Sequence, residues 1–189
     1  MHMSDFENFA EEMDHEFKSI DVKINKIGYK VDGEGIKYHC KFNEIKSVDY
    51  FHNIEDKLHL VEFSDLAMQH TCILQRIKKM KDCDLDKKEK ILHIKELHKA
   101  ILSEMRQKYI DSLTILRYMP KNISNIPAWA VVEKGNYIVI VAPTNDSVEA
   151  SVKSDIVRIL DKLKNDLTTS IPDELFVGVK VVKIDSFLQ

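Results

Sequence analysis

The chain has 189 residues, 44% of them apolar and 31% charged, with a net charge of −3, three cysteines, five glycines and four prolines. That is enough length for one domain with a substantial core, and too little Gly and Pro for long disordered linkers. The composition excludes a disulfide scaffold. The acidic first residues are the opposite of a signal or transit peptide, and no apolar run nears the about 20 residues that cross a bilayer, so a single cytoplasmic domain over residues 1–189 is expected.

Residues 4 to 19 predict a first helix, with Ser4 as cap, Glu7 three residues on, and Phe6, Phe9, Met13 and Phe17 at spacings of three and four. Gly28 to Val31 and Gly35 to Lys41 predict a hairpin around Asp32-Gly33-Glu34-Gly35. Two further strands follow. In the first, alternation sets Val48, Tyr50 and His52 on one face and Asp49 and Phe51 on the other, and the second, Leu58 to Phe63, is apolar except for Glu62. A carboxylate inside an apolar strand must be paired, protonated or bound to a cation, because burying it alone costs several kcal/mol or more.

Helices are expected from about Ser64 to Lys81, capped by Ser64 or Asp65, and from about Asp84 or Asp86 to Tyr118, along the apolar stripe Ile94, Leu97, Ile101, Met105, Tyr109, Leu113 and Leu116. Met119-Pro120 stops the second. Trp129 to Glu133 and Tyr137 to Ala142 read as strands around Lys134-Gly135-Asn136. Asp146 or Ser147 caps a helix through Leu167, and Leu175 to Ile184 is a last strand. The fold class is α/β: a mixed sheet flanked by helices, with a long helical hairpin.

Residues 75 to 108 hold 11 Lys and Arg against 6 Asp and Glu, which permits a basic face on an otherwise acidic protein. Arg76, Lys78, Lys79, Lys81, Lys87 and Lys88 are the candidates for a phosphate backbone, since counterion release asks only for dense positive charge. The long apolar stripe exceeds what one small domain usually buries, leaving room for a second copy or a partner chain on that helix. Asp82-Cys83-Asp84-Leu85-Asp86 lacks the Gly and Glu of a calcium loop and reads as a connection between helices with capping acids. His52 and His59 flank a turn and could face each other, yet no third ligand accompanies them.

A helix, a strand bearing Asp, a strand ending in Glu and a following helix resemble the core of the PD-(D/E)XK nuclease superfamily, on the residues Val48-Asp49-Tyr50 and Leu60-Val61-Glu62-Phe63-Ser64. The later run Lys108-Tyr109-Ile110-Asp111-Ser112-Leu113-Thr114-Ile115-Leu116 is similar to a helix of bacterial proteins built on such cores. The resemblance implies a restriction-endonuclease-like core in which Asp49 and Glu62 hold Mg²⁺ and act on phosphodiester bonds in DNA or RNA. It also implies a lysine two residues after Glu62, where this chain has Ser64. Three answers stay open: Arg76 or Lys78 reaches back, a mechanism survives without the lysine, or the fold is kept for binding. Glu12 or Glu16 could add a third carboxylate. Equally, Asp49 and Glu62 could be paired structural acids, with Ser64 an ordinary cap. The absent lysine favours a non-catalytic or weakly active accessory protein of a bacterial mobile-element or defence system, with a metal-dependent nuclease as the alternative.

Overall fold

The computed structural model describes residues 3–15, 17, 20–142 and 150–189; Glu16 and the expected cap at Asp146 or Ser147 lie outside them. A six-stranded mixed sheet has the order β2 (Ala10–Glu12), β3 (Ile27–Lys30), β4 (Tyr50–Ile54), β5 (Lys57–Ser64), β7 (Asn136–Val141) and β8 (Gly178–Lys183). The pairs β2–β3, β3–β4 and β4–β5 are antiparallel, and β5, β7 and β8 run parallel to one another. Parallel neighbours need long crossovers. Helices supply them: α2 (Leu66–Lys81) and α3 (Lys87–Tyr118) lie between β5 and β7, and α4 (Ala150–Ser170) lies between β7 and β8. A short parallel pair joins β1 (Ser4–Asp5) to β6 (Ile123–Ser124), and α5 (Ile184–Leu188) closes the chain.

One face of the sheet packs Phe51, Leu58, Leu60, Val139 and Val141 against Met105, Tyr109 and Leu116 of α3 and Leu163 and Leu167 of α4. The other face packs Tyr50, Val61, Ile138 and Ile140 against Met13, Phe17, Ile24 and Ile184. The mixed sheet, the two long helices and the Asp86 cap of α3 agree with the sequence reading.

Three elements differ from it. The described residues between 4 and 19 form no α-helix: after β1 comes a single 3₁₀ turn, Phe6–Phe9, capped by Asp5, and then β2. Phe6, Phe9, Met13 and Phe17 are all buried, but the first two belong to one face of the sheet and the last two to the other. Their helical spacing arises because the chain passes around the sheet edge, not because one helix presents one stripe. The expected second arm of the Gly35 hairpin is the short helix α1 (Ile36–His39), entered as Lys37 N–H donates to the Val31 carbonyl. Trp129 to Glu133 is no strand either. Pro127 starts a 3₁₀ turn over Ala128–Ala130, and Trp129 packs beside Phe6 and Tyr29.

The β4–β5 hairpin turns at Glu55 and Asp56, both at positive φ as a type I′ turn requires, and its register sets His52 directly opposite His59. Each Nδ1–H donates to a backbone carbonyl, of Ile27 and Lys57 respectively. Burial lowers the pKa of both histidines, and nearby Lys26 and Lys180 act in the same direction. Both rings are therefore harder to protonate folded than unfolded, and their contribution to stability, complete above the unfolded pKa of 6.5, is lost as pH falls through the lower folded values. We expect His52→Gln/His59→Gln to lose less stability than wild type between pH 7.5 and 5.5, read from urea midpoints. Parallel curves would refute this.

Candidate active site

The antiparallel register pairs Tyr50 with Val61, and Asp49 and Glu62 each lie one residue beyond that pair on their own segments. Asp49 lies one residue before β4: its N–H donates at 3.1 Å to the carbonyl of Val61, the residue paired with Tyr50, and its carbonyl accepts from Val31 N–H at 2.8 Å. Its carboxylate turns back onto β5, where Oδ2 accepts the Phe63 N–H at 2.7 Å. The strand bends here. Val48 packs with Phe51 rather than with Tyr50, contrary to simple alternation through this stretch.

Helix α3 holds this bend in place. Ser112 Oγ accepts from Val48 N–H at 2.9 Å, Asp111 Oδ2 accepts from Lys46 N–H at 3.2 Å, and Lys46 Nζ pairs with Glu104 at 3.5 Å. One turn beyond Glu104, Lys108 reaches the sheet, and its Nζ donates to Glu62 Oε1 at 2.5 Å. The Glu62 side chain is 2% exposed and that of Lys108 18%. Burial, with the Asp49 charge beside it, pushes the Glu62 carboxyl well above the usual carboxylate range, against the opposing pull of Lys108. Burial works to lower the Lys108 pKa, but the charge and hydrogen bond of Glu62, with Asp49 and Glu104, outweigh it and hold the ammonium above its ordinary value. The second oxygen of Glu62, Oε2, is buried with no hydrogen-bond donor among the described residues.

These groups lie in a cleft of ≈ 790 Å³ between the sheet and the α2–α3 hairpin, lined also by Lys30, Ser64, Gln69, Arg76 and Glu104. Asp49 and Glu62 both line this cleft. Ser64 is not the helix cap, because Asp65 Oδ1 takes the Met68 N–H. Ser64 is instead buried and accepts from Gln69 Nε2 at 3.2 Å. Glu12 pairs with Lys23 at 2.8 Å on the edge strand and adds no third carboxylate to the cleft.

Of the six basic candidates, Arg76 lines the cleft. Lys78, Lys79, Lys81, Lys87 and Lys88 continue from it as exposed side chains toward the tip of the hairpin. None of the six forms an ion pair with a described residue. The three on α2 stand in its last turn, where a cation offsets the helix dipole.

Lys108 is the group that sequence reasoning overlooked. Its signal was present: it lies three residues after Met105 and four before Ser112, both fully buried, so a lysine falls on the inward face of an amphipathic helix.

A divalent cation is testable against this donor set. Glu62 Oε2 is an orphaned buried acceptor among the described residues, and Asp49 supplies a hard oxygen donor from the segment entering β4. Among the described residues, no three His, Cys, Asp or Glu side chains are grouped to hold a metal ion. Two carboxylates suffice for Mg²⁺, which keeps several of its waters and is commonly bound through one or two acids. The residues fit such an ion.

Among the described residues, no helix is long and apolar enough to cross a membrane. Comparison of the chain with protein families, with curated proteins and with solved structures finds no match.

Proposed function

We propose that this protein is a divalent-cation-dependent hydrolase of phosphodiester bonds in nucleic acid, built on a core like that of the PD-(D/E)XK nucleases. The observation that carries this reading is the Lys108 ammonium at 2.5 Å from Glu62, beside Asp49, on the wall of an open cleft. The cation that Ser64 does not provide comes from α3. This moves the balance from an accessory protein toward an enzyme.

Asp49 and Glu62 are the residues that would hold Mg²⁺, which when bound polarises the scissile phosphate and lowers the pKa of an attacking water. Lys108 stays charged because Glu62, Asp49 and Glu104 surround it with negative charge, and it offsets negative charge developing on the phosphoryl oxygens. A bond forms from the water oxygen to phosphorus and the bond to one sugar oxygen breaks. Glu62 takes the proton from the water, and the leaving oxygen takes one from solvent. Arg76 and the hairpin lysines extend positive charge away from the cleft, as a surface that tracks a phosphate backbone requires.

The test is calorimetric binding of Mg²⁺ and Mn²⁺ by wild type and Glu62→Gln, run beside cleavage of plasmid and of single- and double-stranded oligonucleotides. Binding and cleavage, both lost in the variant, are the expected result. Cation binding without cleavage of any of these, or neither, would overturn the hydrolase reading and return the basic hairpin to the status of a docking surface.

A further inference from the structure

Two buried acceptors of this cleft lack a donor among the described residues: Glu62 Oε2 and the side-chain Oε1 of Gln69. Both side chains line the cleft, and their positions are linked. Ser64 stands two residues after Glu62 on the same face of β5, and its Oγ accepts from Gln69 Nε2 at 3.2 Å. An amide is planar, so tying its nitrogen to Ser64 also fixes the direction of its oxygen.

A buried acceptor without a donor costs free energy that the fold does not recover, and such costs concentrate where function needs them. Here two of them occur on the lining of one cleft. The simplest partner for two such acceptors is a water molecule, which has two hydrogens to give. Once both are donated, its lone pairs point away from the two acceptors. A carboxylate oxygen has two lone pairs of its own, so Glu62 can accept from this water and still face a cation.

We infer that Gln69, held by Ser64, is a positioning residue that orients the attacking water against Glu62. This rests on the hydrolase reading. Gln69 Oε1 accepts one hydrogen of the water and keeps it, and Glu62 Oε2 accepts the other. As the bond from oxygen to phosphorus forms and the bond from phosphorus to the sugar oxygen breaks, the second hydrogen passes to Glu62 and the leaving oxygen is protonated by solvent. Ser64, standing where the resemblance places a lysine, acts only through Gln69. The work is thereby divided: Lys108 supplies charge, and the Ser64–Gln69 pair supplies orientation.

The test compares Gln69→Met, Ser64→Ala, their double variant and Gln69→Glu with wild type, by melting temperature without metal, Mn²⁺ affinity by calorimetry, and kcat and KM for oligonucleotide cleavage. Gln69→Met removes an unsatisfied acceptor, so it should melt at or above the wild-type temperature and bind Mn²⁺ within about twofold of wild type. Its kcat should fall on the order of 10²-fold with KM little changed. Ser64→Ala should lower kcat less, the double variant should be no slower than Gln69→Met, and Gln69→Glu, which keeps an acceptor oxygen, should recover part of the rate. A Gln69→Met enzyme with wild-type kcat would overturn the inference. So would one that loses rate only in proportion to a lowered melting temperature, the mark of a structural role. If wild type itself neither binds Mn²⁺ nor cleaves, while Gln69→Met still melts at or above it, the hydrolase reading fails and the inference falls with it.

Discussion

Lys108→Met is expected to destabilise the protein by about 3 kcal/mol at pH 8, lowering its melting temperature by about 6–12 °C, and by much less at pH 5. The substitution leaves Glu62 almost wholly buried with its only described donor gone. A carboxyl in that position escapes the cost of an unpaired charge by staying protonated. Glu62 is already pushed upward by burial and by Asp49, and without Lys108 nothing opposes that push. A group whose folded pKa is raised contributes stability that is complete below its unfolded pKa, here 4.5, and is lost as pH rises toward the folded value. The gap between variant and wild type should therefore widen from pH 5 to pH 8. The double variant Glu62→Gln/Lys108→Met has no charge at the position and should show no such widening. Chemical denaturation of the three proteins across that range decides the matter. A Lys108→Met deficit that is the same at every pH would mean that Lys108 stabilises by packing its stem, not by its charge.

The second large effect is on rate. Lys108→Met should lower kcat for cleavage on the order of 10²- to 10³-fold, the usual range for one lost electrostatic group at a reacting centre, with a smaller rise in KM. Lys108→Arg keeps the charge but replaces a compact ammonium by a planar fork, and is expected to recover only part of the rate. Folding is separated from chemistry by assaying each variant at a temperature well below its own melting point. Wild-type cleavage by Lys108→Met would remove this lysine from the mechanism and require Arg76, a cleft-lining cation with no ion pair among the described residues, to be examined in its place.

Much of the sheet and both partners of the acidic pair were legible in the sequence because they are local. Alternation locates β4 and β5, the type I′ turn fixes their register, and the register leaves Asp49 and Glu62 at the same end of the hairpin, one residue beyond the Tyr50–Val61 pair. Lys108 comes from 46 residues further on, and no local rule brings a helix residue to a particular strand residue. What periodicity did offer was a lysine on a buried face, beside Met105 and Ser112. The amino-terminal segment misled for a related reason: Phe6 and Phe9 serve one side of the sheet and Met13 and Phe17 the other, and a spacing rule cannot tell one stripe from a chain that rounds an edge. Ser64 shows a third kind of limit. A serine just before a helix is the ordinary sign of a cap, but Asp65 fills that place, and only the Gln69 contact reveals where the Ser64 hydroxyl is used.

The distance along the chain between Glu62 and Lys108 also bears on synthesis. At ordinary elongation rates the ribosome adds those 46 residues over about 2–9 s, during which Asp49 and Glu62 have been made and their cation has not. The segment that carries Asp49 is moreover tied down by Asp111 and Ser112, which are made later still. A nascent or truncated chain ending before α3 therefore has no assembled centre, and the cleavage proposed for this cleft would be acquired only as the long helix docks.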